Sequence, residues 1–212
     1  GAVQTVATEK NAHCILTDYD NRLALVPHTG PNAVYQFRFD ATTGKLSPSK
    51  AAKHLPEEKL SPRHVAYHPN KKFVYVVNEG SSSVTACRLK GEGIHPLHTL
   101  STLPKGFAER NTCADVEVHP SGKFLYCSNR GHDSIALFAI DPETGRLTAR
   151  GQASTEEMPR SFNVDPTGKY LVAAGLRANQ LTVYRIDPGT GKLKPLKTYD
   201  VGKGPTWVQI LK

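Results

Sequence analysis

The sequence predicts an all-β fold, a β-propeller of four-stranded antiparallel blades, and three observations carry that expectation. First, one segment recurs. His64-Val-Ala-Tyr-His-Pro-Asn-Lys-Lys-Phe-Val-Tyr-Val-Val-Asn78 reads in step with Asp115-Val-Glu-Val-His-Pro-Ser-Gly-Lys-Phe-Leu-Tyr-Cys-Ser-Asn129 and with Ser161-Phe-Asn-Val-Asp-Pro-Thr-Gly-Lys-Tyr-Leu-Val-Ala-Ala-Gly175. A weaker copy runs from Cys14 to His28, with Leu23 in the position of Phe73, Phe124 and Tyr170. Those four positions are spaced by 50, 51 and 46 residues, at or just above the period of propeller blades. Second, a turn signature recurs outside that segment: Asp40-Ala-Thr-Thr-Gly-Lys, Asp141-Pro-Glu-Thr-Gly-Arg and Asp187-Pro-Gly-Thr-Gly-Lys. Asp opens such a turn and Gly supplies the positive φ that closes it. Third, no stretch of ten or more residues shows helical periodicity.

Taken in chain order, residues 1–10 are expected to be the last strand of a preceding blade, with Gln4–Thr8 as its core. Four blades follow, at 11–60, 61–111, 112–157 and 158–203. Residues 204–212, centred on Pro205–Ile210, read as the inner strand of a closing blade. The second unit shows the four runs most plainly: Arg63–His68, Phe73–Asn78, Val84–Leu89 and Ile94–Leu100, with a Pro-Asn-Lys turn after the first and the polar loop Glu79–Ser83 after the second. Propellers commonly close by building one blade from both termini, which removes an open sheet edge. A lone strand at each end therefore predicts that missing N-terminal blades, or a second chain, complete the ring.

Composition bounds the function without naming it. With 38% hydrophobic residues, 17 Gly and 15 Pro in 212 residues, the chain suits a turn-rich β-repeat protein. The formal charge of +8 favours an anionic partner. The cations are scattered through turns (Lys71, Lys72, Lys123, Lys169, Lys192) rather than gathered in a basic run, so no nucleic-acid groove is read. No apolar run is long enough to span a bilayer. Cys14, Cys87, Cys113 and Cys127 form no CxxC pair, which removes zinc-finger spacing and reads as reduced thiols in a cytoplasmic protein. No HxH, HExxH or acidic cluster points to a metal, and no Gly-rich strand-to-helix loop points to a nucleotide; no cofactor is expected.

The repeat also states which residues can share a rim. In an antiparallel blade the start of the first strand and the end of the second lie together. The start column holds His13, Arg63, Ala114 and Arg160; the end column holds Thr29, Glu79, Arg130 and Leu176. A scaffold column repeats because every blade needs it, as at Phe73, Phe124 and Tyr170. A site column differs between blades, because one asymmetric ligand meets each blade once. His13, Arg63, Glu79, Arg130 and Arg160 are therefore expected on one face, most of them lining one basic pocket. His64 and Asp115 stand one step further along the inner strand. His68 and His119, each before Pro at the opposite rim, repeat and are read as structural.

Several motifs together resemble one family. Ser61-Pro-Arg-His64 with His68-Pro69-Asn70, Val77-Asn78-Glu79 with Ser82-Ser83-Val84, Ala114-Asp115, Pro159-Arg-Ser-Phe-Asn-Val-Asp165, Gly168-Lys-Tyr-Leu171 and Gly202-Lys-Gly-Pro-Thr-Trp207 are similar to the lactonase family of seven-bladed propellers, over essentially the whole chain. That family contains propeller-type bacterial lactonases and the fungal muconate lactonizing enzymes. The resemblance implies hydrolysis of a small anionic lactone, 6-phospho-D-glucono-1,5-lactone, in the pentose phosphate pathway. It also implies a catalytic set of His13, Arg63, Glu79 and Arg130, with Arg160, His64 and Asp115 as substrate-binding residues. Glu79 or His13 would be the base toward water, and arginines would stabilise the oxyanion or hold the phosphate. A muconate-type cycloisomerase and a non-catalytic binding propeller are the alternatives.

Overall fold

A computed structural model describes residues 1–54, 56 and 58–211. Every regular element in it is a strand, and the strands form four four-stranded antiparallel sheets, each paired in chain order. The first sheet is β1 (Leu16–Thr17), β2 (Leu23–His28), β3 (Ala33–Asp40) and β4 (Lys45–His54). The second is β5 (Pro62–Tyr67), β6 (Phe73–Asn78), β7 (Ser83–Lys90) and β8 (Gly93–Ser101). The third is β9 (Thr112–Val118), β10 (Phe124–Arg130), β11 (Ser134–Ile140) and β12 (Leu147–Ser154). The fourth is β13 (Pro159–Val164), β14 (Tyr170–Gly175), β15 (Gln180–Ile186) and β16 (Leu193–Asp200). The expected run Arg63–His68 begins and ends one residue earlier, because the His68 amide already turns back to the Phe73 carbonyl. The first inner strand is reduced to two residues plus a bridge from Ala12 to His28.

The second and third sheets bury both faces, so β6 and β10 read as continuous buried runs, whereas β14 and β15 of the fourth alternate. Alternate residues of β6 split between neighbours. Val74 and Val76 pack with Leu23, Leu25 and Tyr67 toward the first sheet, whereas Phe73, Tyr75 and Val77 pack with Val116, Leu125 and Phe138 of the third. Phe124 and Tyr126 repeat the pattern toward Phe162, Leu171 and Tyr184 of the fourth.

Polar latches reinforce these interfaces at fixed places. On the rim opposite the expected site, His68 Nε2 donates to the Gly122 carbonyl and His119 Nε2 to the Gly168 carbonyl, each at 2.8 Å. Their Nδ1 atoms accept from Asn70 N and Ser121 N at 3.1 Å, which defines the Nε2–H tautomer. Both histidines are thus structural, as the sequence predicts. Tyr75 OH donates to the Gly145 carbonyl at 3.2 Å and Tyr126 OH to the Gly191 carbonyl at 2.8 Å. On the site rim, the last residue of each β-hairpin loop takes a left-handed conformation: Asn32, Ser82, Asp133 and Asn179, with φ between 48° and 57°. Three of these side chains accept from the next unit's approach to its first strand: Asn32 Oδ1 from Leu60 N and Ser61 N at 2.9 and 2.8 Å, Asp133 Oδ1 from Met158 N at 3.0 Å, and Asn179 Oδ1 from Gly204 N at 2.8 Å. Ser82 exchanges hydrogen bonds with Asn111.

The strands expected at Gln4–Thr8 and Pro205–Ile210 are not formed among the described residues, and both segments are held by side-chain contacts instead. Gln4 exchanges two side-chain hydrogen bonds with the backbone of Leu46, and Val6 packs over Ala24, Val26 and Phe37. Near the other end, Val208 N and Ile210 N donate to Ser161 Oγ and Asn163 Oδ1, at 3.1 and 2.9 Å, so residues 208–210 run alongside β13.

The turn glycines separate conformational strain from packing. A Cβ on Gly145 (φ +72°) would sit 2.3 Å from the Phe73 ring, whereas one on Gly44 (φ +69°) would meet nothing within 4 Å. Gly44→Ala is expected to cost about 1 kcal/mol, from the left-handed backbone alone. Gly145→Ala is expected to cost roughly 2–4 kcal/mol, since overpacking adds to it. Urea unfolding of the two variants checks this; equal losses would show that Phe73 does not wedge the turn of the next sheet.

Candidate active site

A β-bulge aims the site residues. The register of β5 against β6 shifts between Pro62 and His64, and that of β13 against β14 between Pro159 and Ser161. Arg63 and Arg160 are therefore the extra residues, and a bulged residue is turned out of the ladder toward the rim. The register of β9 against β10 shifts at the matching place, opposite Ser128. Each bulge follows closely on one of the hairpin latches, so the neighbouring unit holds the backbone just before it.

The structure gathers His13, Arg63, Glu79 and Arg130. Glu79 follows β6, and its carboxylate stands between two guanidiniums: Oε2 lies 3.0 Å from Arg63 Nε and Oε1 3.0 Å from Arg130 Nη2. The Arg63 contact is an ion pair rather than an aligned hydrogen bond, since Nε has no partner in hydrogen-bond geometry. Arg63 is only 1% exposed and Arg130 9%. Burial, opposed in part by Glu79 and aided by Arg130, brings the Arg63 guanidinium down to about 10, still charged at neutral pH. Main-chain carbonyls complete the cradle. Arg63 Nη1 donates to Ala114 O, and Arg130 Nη2 to Cys113 O at 2.9 Å. The backbone of Glu79 also joins two sheets, its N donating to Ser61 O and its O accepting from Cys113 N.

His64 and Asp115 are brought to the same place but lie beneath the rim, 8% and 6% exposed. His64 Nδ1 is 2.8 Å from Asp115 Oδ1, and His64 Nε2 is 3.2 Å from Arg63 Nη1. The His13 ring stacks at a tilt on His64, centroids 5.2 Å apart. Arg160, half-buried, makes no ion pair among the described residues but contributes to the field at Arg63. Like His13, which meets the set through its ring contact with His64, it touches none of the others through a hydrogen bond or ion pair among the described residues. His13 also lines a cavity of about 380 Å³ with Cys14, Val26 and Phe37.

Sequence reasoning passed over the acceptors on the main chain, Cys113 O and Ala114 O, because carbonyls carry no residue signature. It also passed over the latches, although the column Asn32, Ser82, Asp133, Asn179 was there to be found: Asn, Asp and Ser are the residues that tolerate or bond across such a position. Among the described residues no helix is long and apolar enough to cross a membrane.

This geometry concentrates guanidinium charge around one carboxylate and leaves an imidazole beside it, which suits an anionic substrate and water-dependent acyl chemistry. Comparison with known proteins agrees. Residues 1–210 match the family described as lactonase, 7-bladed β-propeller. A 6-phosphogluconolactonase of Erwinia tasmaniensis is 36% identical over 210 residues, covering 99% of this chain and 63% of the relative. Among solved structures, a protein from Lactobacillus plantarum superposes with a TM-score of 0.88 at 28% identity, covering 95% of this chain and 58% of the other. The Pseudomonas aeruginosa periplasmic gluconolactonase superposes at 0.84 with 26% identity, covering 91% and 55%. The chain spans just under two thirds of the length of the curated relatives it matches.

His13 is the titratable group whose behaviour tests the site. Desolvation first, then the Arg63 and His64 charges, push its imidazole down to about 4. A histidine with a depressed folded-state pKa contributes stability that is present above the unfolded value, near 6.5, and is lost as pH falls toward 4. NMR titration should therefore find a midpoint near 4 for His13. Wild type should also lose more melting temperature than His13→Gln between pH 7 and pH 4. A midpoint near 6.5 would mean that His13 is not held against Arg63.

Proposed function

The chain belongs to the seven-bladed β-propeller lactonase family, and from that premise we propose that it carries the hydrolytic site of a 6-phosphogluconolactonase, opening 6-phospho-D-glucono-1,5-lactone to 6-phosphogluconate. The observation that carries this reading is the Arg63–Glu79–Arg130 cluster with neutral His13 at its edge. A lactone carbonyl gains negative charge on oxygen as water attacks, and buried guanidiniums already in place stabilise it without reorganising. Arg63 Nη2 makes no hydrogen bond to a described residue, which leaves that edge for the carbonyl oxygen. Both oxygens of Glu79 are engaged by guanidiniums, whereas neither ring nitrogen of His13 makes a hydrogen bond to a described residue, Nδ1 being buried. In this reading His13 is the base and Glu79 aligns the two arginines.

The balance is simple. Water adds to C1 and passes a proton to His13; the bond from C1 to the ring oxygen breaks; His13 returns the proton to that oxygen as it leaves. Arg160, without an ion-pair partner among the described residues, supplies charge for the phosphate. Cys14, Cys87, Cys113 and Cys127 are all free and three of them buried, which supports a reducing, cytoplasmic setting.

Two expectations follow for a lactone-opening assay corrected for spontaneous hydrolysis. Glu79→Gln is expected to lower kcat at least tenfold with its melting temperature retained, because Gln keeps an acceptor oxygen but not the charge that aligns the arginines; wild-type turnover in this variant would remove Glu79 from the chemistry. Arg160→Ala is expected to raise KM for the phosphorylated lactone about tenfold, the worth of one charge-assisted contact. The same change should leave glucono-1,5-lactone unaffected. Equal effects on both substrates would place Arg160 elsewhere than at the phosphate.

A further inference from the structure

We propose that Asp115 and His64 are positioning residues for Arg63, rather than groups that touch substrate. A guanidinium only donates hydrogen bonds, so His64 Nε2, 3.2 Å from Arg63 Nη1, must be the bare, accepting nitrogen. The ring hydrogen is then on Nδ1, 2.8 Å from Asp115 Oδ1, and a carboxylate is the acceptor that such a hydrogen requires. One tautomer alone satisfies both contacts; the other sets two donors face to face at Arg63.

The chain of bonds is anchored at both ends. Asp115 Oδ2 accepts from Phe162 N at 3.3 Å, its Oδ1 from Val116 N at 3.1 Å, and its own amide donates to Ser128 Oγ at 3.0 Å. At the other end, the two hydrogens of Arg63 Nη1 are divided between His64 Nε2 and Ala114 O. Two bonds from one nitrogen fix the plane of the guanidinium, while Glu79 contacts its Nε side. Nη2 is the edge that remains. The relay thus runs from β13 through β9 to β5, and its output is the direction in which Nη2 points. Both ring nitrogens of His64 and both carboxylate oxygens of Asp115 are already engaged within the protein, so neither side chain keeps a polar atom for a ligand, whereas Arg63 keeps Nη2. A buried imidazole held by a carboxylate is a familiar means of setting a tautomer, and loss of that carboxylate charge lets the wrong tautomer form.

The kinetic part of the test rests on the lactonase reading; the spectroscopic part does not. With histidine and arginine ¹⁵N-labelled at pH 8, the wild-type chain is expected to show the His64 hydrogen on Nδ1 and slowed rotation of the Arg63 guanidinium. Asp115→Asn should move that hydrogen to Nε2, because the amide must give its oxygen to Phe162 N and its NH₂ to the ring, and should free the guanidinium. In the lactone assay, Asp115→Asn should then lose kcat at least tenfold with KM within about twofold. His64→Gln, whose amide can accept from Arg63 and donate to Asp115, should recover most of the kcat that His64→Leu loses. A wild-type Nε2–H tautomer overturns the proposal without any variant. So does an Arg63 guanidinium that rotates equally fast in wild type and Asp115→Asn. Absence of lactone turnover in a wild type that shows the Nδ1–H tautomer and a slowed guanidinium would sink the lactonase reading and leave the positioning role standing.

Discussion

The constraint on which the molecule depends is that a sheet with two apolar faces must stand between two others. A lone sheet of this kind would leave one or both faces in water, and stacking is the means of burying them. Here β6 divides its side chains between two interfaces, Val74 and Val76 on one side and Phe73, Tyr75 and Val77 on the other. The polar groups then have to be satisfied in the same geometry. His68 and His119 reach the next sheet's turn at 2.8 Å, as Tyr126 does on the outer side. Apolar stacking brings the sheets together; these bonds define the distance and twist at which they stop.

The site is a consequence of that arrangement. Because the sheets repeat, each offers the same two positions on the rim, and a bulge in the second and fourth turns the first of them outward as Arg63 or Arg160. Identical backbones thus present different side chains to one place. Glu79 is placed to meet Arg130 of the next sheet because its own carbonyl accepts from Cys113 N. The electrostatics follow from depth. Arg63 is buried enough that its pKa falls to about 10, and partial burial, with the Arg63 charge nearby, takes His13 down to about 4. Such displaced values mark sites where burial and charge have been arranged together.

How much of this could be read in the chain depended on whether a feature repeats as a residue type. The aromatic column, the Asp-to-Gly turns and the His-Pro pair all recur, so four sheets and the strand Phe73–Asn78 were legible to the residue. The rim columns were legible by their variation, and the structure brings Arg63 to Glu79 and Glu79 to Arg130 as the columns imply. The bulges were not legible: a bulge is one residue of register, and nothing in Pro62-Arg63-His64 differs from an ordinary strand start. Hidden too was the depth of His64 and Asp115, because one step along an inner strand gives order but not burial. The short β1 follows from the weak first copy, where Asp20-Asn21-Arg22 replaces the Pro-Asn-Lys turn.

Three latches of the hairpin loops run one way, from a sheet to the segment that follows it in the chain: Asn32 to Ser61, Asp133 to Met158, and Asn179 to Gly204 of the terminal segment. A ribosome releases the chain in that same order, and domains assemble as their sequence emerges. The acceptor that each loop offers thus stands earlier in the chain than the amide it receives. The charge cluster itself spans the second and third sheets, but the bonds behind it reach further. Asp115 accepts from Phe162 N, which belongs to the fourth sheet, so the bonds that hold Arg63 draw on one sheet more than the cluster does. Order in the sequence and order of support thus coincide: each loop offers its acceptor forward to residues that come later in the chain, and the last support behind Arg63 comes from the last sheet.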